Sequence, residues 1–189
     1  MKKIKLFPLI LIFCLVFAAW PPQALALDEP ELAVQAALLV DLDSGRILYS
    51  KNMEEQRSPA SLTKIMTGLL AIEAVESGQC TMEELVTATA DCQAGMDTDS
   101  SNASIVSGEE MSFGDYIRCA MIASACDACN VIAVHVAGSI DAFVSQMNEK
   151  AAALGCVNTQ FADPSGLSSD NITTAYDLYL ITKEALKHE

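Results

Sequence analysis

Ser61 and Lys64 stand three residues apart in Pro59-Ala60-Ser61-Leu62-Thr63-Lys64-Ile65-Met66-Thr67, where a polar connection gives way to a helical pattern. Leu62, Ile65, Met66, Leu69, Leu70 and Ile72 recur at helical spacing and Gly78 supplies a stop, so a helix is expected from Ser61 to about Ser77. Residues i and i+3 share a helix face, which puts the lysine amine within reach of the serine hydroxyl. A serine hydroxyl is a weak nucleophile until a base takes its proton, and a desolvated, neutral lysine can be that base. The unpaired N–H groups of the first helical turn favour negative charge developing beside them. The chemistry these residues point to is acyl transfer by a Ser–Lys centre. The same tetrapeptide also fits a serine that merely caps the helix while its lysine points to water, so the rest of the chain has to decide.

The elements that would position this pair follow from pattern. Residues 36–40 and 46–50 read as two strands joined by Asp41-Leu42-Asp43-Ser44-Gly45, a hairpin. Residues 81–89 fit a short strand or loop centred on Val86, and residues 91–104, rich in Gly, Ser, Asp and Asn, fit a surface loop. Ser112-Phe113-Gly114-Asp115 has the form of a capping box with Asp in place of Glu and opens a helix to about Ala123. After Ser124, a nearly all-apolar helix is expected over 127–137, another over 140–154 from a Ser139 cap, and a last one over 175–187 from Thr173 or Thr174. A lone two-stranded hairpin is marginal in water, so its apolar face needs further strands or helices to cover it.

The chain has 189 residues with a formal net charge of −14. Lys2, Lys3 and Lys5, an apolar run from Leu6 to Trp20 and Ala24-Leu25-Ala26 describe a signal peptide over residues 1–26, followed by a linker at 27–35. Cleavage leaves an exported and still more acidic protein without a membrane anchor, a surface ill suited to nucleic acid. Six cysteines remain: Cys80, Cys92, Cys119, Cys126, Cys129 and Cys156. An even number in an exported chain permits disulfides. Cys119, Cys126 and Cys129 would share one face of a continuous helix, but neither His135 nor His188 has ligand spacing to them, so core thiols are favoured over a metal site. No cofactor is called for.

Ala36 through Lys51, Pro59-Ala60-Ser61-Leu62-Thr63-Lys64, the Ser124 segment and Thr174-Ala175-Tyr176-Asp177-Leu178 together resemble the serine D-Ala-D-Ala carboxypeptidases. These are low-molecular-weight penicillin-binding proteins of the peptidase S11 type, related to class A β-lactamases, with Ser-x-x-Lys, Ser-x-Asn and Lys-Thr-Gly motifs. The resemblance implies an α/β (α+β) fold of the β-lactamase/DD-peptidase kind: an N-terminal β-hairpin of an antiparallel sheet and a helical subdomain, with the C-terminal strands of the sheet lacking. Residues 36–189 are then expected to be an incomplete catalytic domain. It implies Ser61 as acyl-ester nucleophile, Lys64 as its base and Ser124 as the serine that relays a proton to the leaving amine. The implied substrate is the D-Ala-D-Ala end of a peptidoglycan stem peptide in the cell-wall space or periplasm, with β-lactams as inhibitors. The chain departs from the pattern twice. Cys126 stands where the family has the Asn of Ser-x-Asn and is the implied substrate-contacting position, and no Lys-Thr-Gly occurs. A thiol is a weaker hydrogen-bonding group than an amide. Weak or absent turnover is therefore expected, and the alternative is a non-catalytic penicillin-binding-like module that holds a wall peptide or a protein partner.

Overall fold

Strand β1 (Ala37–Val40) and strand β2 (Ile47–Lys51) form an antiparallel hairpin in which Ala37 lies opposite Lys51 and Leu39 opposite Tyr49. The Asp41 carboxylate accepts the N–H groups of Asp43 at 3.1 Å and Ser44 at 3.0 Å, the local bonding that favours aspartate at a turn, and Gly45 takes the left-handed φ of +69° that follows. The computed structural model describes residues 31–188, and Val34 onward belongs to one compact unit. The expected signal peptide and residues 27–30 of the expected linker lie outside the described residues.

The hairpin is followed by a polar connection held in place by Arg57, whose backbone exchanges hydrogen bonds of 2.8 and 2.9 Å with Thr173. A 3₁₀ turn over Ala60–Thr63 then leads into helix α1 (Lys64–Glu76). The expected start of an α-helix at Ser61 is thus three residues early. No side chain caps either start, which removes the reading of Ser61 as a cap. Strand β3 (Leu85–Thr87) pairs antiparallel with strand β4 (Glu110–Ser112), a second small sheet that the sequence pattern of residues 81–89 only half announced.

Helix α2 (Phe113–Ile122) begins with the expected box: Ser112 Oγ accepts the Asp115 N–H at 3.1 Å and donates to the Asp115 carboxylate at 2.7 Å. Helix α3 (Cys126–Ala137) is buried over nearly its whole length and is the central helix, packed by α1, α2 and helix α4 (Ile140–Ala153). Ser139 caps α4, and Thr174 caps helix α5 (Ala175–Ala185), which lies on α1 and β1. Met66, Phe113, Tyr116, Ile132, Phe143, Met147 and Ile181 are the large side chains fully enclosed between these helices. Outside that core, Leu39, Ile47 and Leu48 of the hairpin remain 41–56% exposed, so α5 covers only part of its apolar surface. Among the described residues no single helix is long and apolar enough to cross a membrane.

The six cysteines from Cys80 to Cys156 are all free thiols. Helices α2 and α3 are separate, broken at Ser124 with a φ of +55°, so Cys119 is not in helical register with Cys126 and Cys129. Burial pushes the Cys129 and Cys156 thiols up to about 12, the behaviour of inert core thiols.

The expected surface loop over 91–104 is anchored from beneath. Asp127, fully buried in the first turn of α3, accepts the N–H groups of Ala103 at 3.0 Å, Ile105 at 2.9 Å and Ala128 at 2.9 Å. Replacing Asp127 by Ala strands these donors, and we expect a loss of about 3 kcal/mol in chemical denaturation, well above an ordinary surface substitution.

Candidate active site

Four short segments converge beside the start of α1. The first is the 3₁₀ turn that carries Ser61. It is entered through Ala60, whose φ of +46° is unusual for a residue with a side chain. In a 3₁₀ turn residues i and i+3 nearly eclipse, which stacks Ser61 over Lys64 more directly than an α-helix would. Lys64 Nζ lies 3.5 Å from Ser61 Oγ.

The second segment is the turn of residues 163–168, which the sequence showed only as a turn. Its Ser165 carbonyl accepts from Lys64 Nζ at 2.7 Å, and its Pro164 carbonyl accepts from Thr67 Oγ1 at 2.5 Å. The turn is therefore sewn to the first two turns of α1. Gly166 makes this possible: with φ +90°, a Cβ there would lie 1.8 Å from the Ala60 carbonyl oxygen. The turn takes its shape from Asp163, whose carboxylate accepts the N–H groups of Ser165 at 2.6 Å, Gly166 at 2.7 Å and Ser168 at 2.6 Å, and the Asn171 amide at 2.5 Å. Burial pushes the Asp163 carboxyl up, but the donors from Ser168, Ser165 and Gly166 outweigh it and hold the group below its usual range.

The break between α2 and α3 supplies the third segment. Ser124 Oγ donates to Ser61 Oγ at 3.1 Å, its left-handed backbone turning the hydroxyl toward Ser61. Strain of this sort, here at both Ala60 and Ser124, persists only where surrounding packing over-determines it. The fourth is the first residue of α3. Cys126 Sγ is buried 3.5 Å from Lys64 Nζ and 3.8 Å from the Ser124 carbonyl.

The structure thus places Ser61, Lys64, Ser124 and Cys126 in one cluster. Lys64 is 3% exposed, and its described partners are two oxygens and a sulfur with no carboxylate among them. An amine so placed, when neutral, can take the Ser61 proton, and the two linked hydroxyls give that proton a path onward. Sequence reasoning missed Ser165, Gly166 and Asp163; the Asp-Pro-Ser-Gly string was the available signal, but nothing local says what such a turn packs against. A cavity of about 550 Å³, lined by Asp91, Asp97, Asn130, Asp141 and Ser165 among others, adjoins the turn.

Two outcomes are expected from this geometry. Gly166→Ala cannot fit without displacing Ala60 and with it the turn that carries Ser61, so it should cost at least about 2 kcal/mol in a denaturant titration. Asp163 has a folded-state pKa below its unfolded value of about 3.9, so its contribution is present above that pH and lost as pH falls through the lower folded value. Stability measured against pH should fall below about pH 4, with a shallower slope in Asp163→Asn.

The family model described as D-alanyl-D-alanine carboxypeptidase, peptidase S11, matches residues 23–189. The D-alanyl-D-alanine carboxypeptidase DacF of Bacillus subtilis is 39% identical over the whole chain, and DacC of Escherichia coli is 34% identical over 94% of it. These matches cover 49% and 45% of the two relatives, so the chain spans about half the length of the curated proteins it matches. Among solved structures, penicillin-binding protein 6B from Escherichia coli superimposes with a TM-score of 0.82 at 32% identity, over 87% of this chain and 53% of that one. Penicillin-binding protein D2 from Listeria monocytogenes, solved in its cefotaxime-bound form, gives 0.74 at 26% identity, over 84% and 65%. The Ser61 cluster therefore lies within a fold shared with penicillin-binding proteins, and the chain belongs to the S11 family of D-alanyl-D-alanine carboxypeptidases.

Proposed function

We propose that the Ser61 cluster is the acyl-transfer centre of a serine D-Ala-D-Ala carboxypeptidase. The observation that carries this reading is a buried amine, 3.5 Å from Ser61 Oγ, whose serine is bonded in turn to a second serine at 3.1 Å. Ser61 Oγ attacks the carbonyl carbon of the penultimate D-Ala while Lys64 takes its proton. The tetrahedral oxyanion forms against backbone N–H groups, that of Ser61 among them. Ser124 passes a proton to the amine of the terminal D-Ala, which leaves as the peptide bond breaks. Water then adds to the Ser61 ester, restores the hydroxyl and frees the shortened stem peptide. The names of the relatives support the substrate class, and the cefotaxime-bound relative supports β-lactams as acylating inhibitors of Ser61. Peptidoglycan as substrate, with the basic and apolar N-terminal sequence, supports an extracytoplasmic location.

Cys126 favours a second reading, a penicillin-binding-like module that holds a wall peptide without turning it over. Its thiol occupies the place where an amide could bond both the lysine and a substrate backbone. The 189 residues also include no Lys-Thr-Gly, so turnover by these residues alone is expected to be weak.

Labelling with a fluorescent penicillin separates the two. The first reading expects covalent label that Ser61→Ala abolishes and that Lys64→Ala slows by about 10²–10⁴-fold with cooperative melting retained. Restoring the amide in Cys126→Asn should speed labelling about tenfold, the worth of one orienting hydrogen bond. Absence of label at every concentration, with the peptide still bound, establishes the module instead.

A further inference from the structure

We propose that Cys80, Glu84 and His135 form a binding site for a divalent transition-metal ion, zinc by its donor set, distinct from the Ser61 centre. The three side chains come from different parts of the fold: Cys80 follows α1, Glu84 precedes β3, and His135 lies in the last turn of α3. Their sulfur, oxygen and nitrogen atoms nonetheless lie within 4.8 Å of one another. His135 Nε2 is 2.5 Å from a Glu84 carboxylate oxygen, and the imidazole is set by the Phe113 ring, 5.2 Å away between centroids.

One thiolate, one imidazole and one carboxylate are the ligand types zinc takes, and their mixture of soft and borderline donors disfavours calcium or magnesium. Thiolate and carboxylate together supply two negative charges for a dication. Cys80 is only 3% exposed, whereas the side chains of Glu84 and His135 are 33% and 29% exposed. The cluster is thus closed on the sulfur side and open toward solvent, leaving a fourth tetrahedral position for water. A cavity of about 270 Å³ lined by Thr89, Val134 and His135 adjoins the imidazole. A tetrahedral ion with ligands at about 2.0–2.3 Å needs donor separations of about 3.3–3.8 Å, so Glu84 and His135 must part by about 1 Å. Metal binding replaces the Cys80 sulfur–hydrogen bond by a sulfur–metal bond, and the displaced proton goes to solvent. The other such group among the described residues, Glu73, Glu184 and His188, already has the Lys150 ammonium paired with Glu73 and carries less.

Cobalt(II) titrated into the chelator-treated protein tests the site. Saturation at one ion per chain, with tetrahedral visible bands and a near-ultraviolet thiolate-to-cobalt band that zinc displaces, is expected. His135→Gln should weaken binding at least about 100-fold, and Cys80→Ser should remove the thiolate band, while Cys119→Ser leaves both unchanged. His135 is partly exposed, so its variant remains informative if Cys80→Ser fails to fold. No thiolate band at one equivalent, or a band indifferent to both Cys80 and His135, overturns the proposal and leaves a His–Glu hydrogen bond beside a core thiol. Chelation should leave penicillin labelling of Ser61 unchanged, so the two sites stand or fall separately.

Discussion

The interaction on which the Ser61 end of this fold depends is the hydrogen bond from the Lys64 amine to the Ser165 carbonyl, 2.7 Å long and closed from water. A lysine head group is rarely buried unless something replaces its hydration. Here the replacement is a backbone carbonyl rather than a carboxylate, a choice with chemical consequences. A carboxylate would form an ion pair with the head group, whereas here a carbonyl, a hydroxyl and a thiol hold the amine by hydrogen bonds alone. The price of burying Lys64 is a turn that must present one carbonyl at a fixed place, and most of the unusual local structure serves that need. Asp163 gathers the turn's N–H groups, Gly166 lets it touch Ala60, and Ala60 bends the chain into the 3₁₀ turn of Ser61.

Asp163 is one of three carboxylates used in this manner. Asp127 in the first turn of α3 holds residues 103–105, and Asp177 in the first turn of α5 accepts the Asn158 N–H and the Thr159 hydroxyl, both at 2.8 Å. Two of the three stand at helix N-termini, where the aligned peptide dipoles favour negative charge. Asp127 and Asp177 each tie a loop remote in sequence to the start of a helix, whereas Asp163 shapes its own turn. Loops can thereby be rigid in a chain with few strands, and a strongly acidic sequence can place part of its charge where that charge is bonded rather than repelled.

How much of this was legible in the sequence depended on how local each signal was. Caps and periodicity are local: the box at Ser112 and Asp115, the caps at Ser139 and Thr174, and the apolar spacing placed the four helices from α2 to α5 to within a few residues. The hairpin was legible from its turn. Strand β4, only three residues long, has no periodicity to read, and its pairing with β3 is a contact between segments more than twenty residues apart. The 3₁₀ start of α1 was equally hidden, because apolar spacing cannot distinguish 3₁₀ from α over one turn. Ser61, Lys64 and Ser124 were nameable from motif spacing, whereas Ser165 and Asp163 act through a carbonyl and a loop shape, which no residue type advertises.

Cys126 shows where residue identity and position part company. Its backbone place is set by the helix break at Ser124 and by the start of α3, so whichever side chain occurs there is delivered to Lys64. The fold thus fixes the address independently of the group. An amide at that address can donate and accept at once, bridging lysine and substrate, while a thiol offers one weak contact and a softer, larger atom. Lys64 retains its bonds to Ser61 and Ser165, so its orientation does not rest on Cys126. What the thiol withholds is grip on a ligand. In the proposed reading, the thiol therefore weighs on how a peptide is held more than on whether Ser61 can be activated.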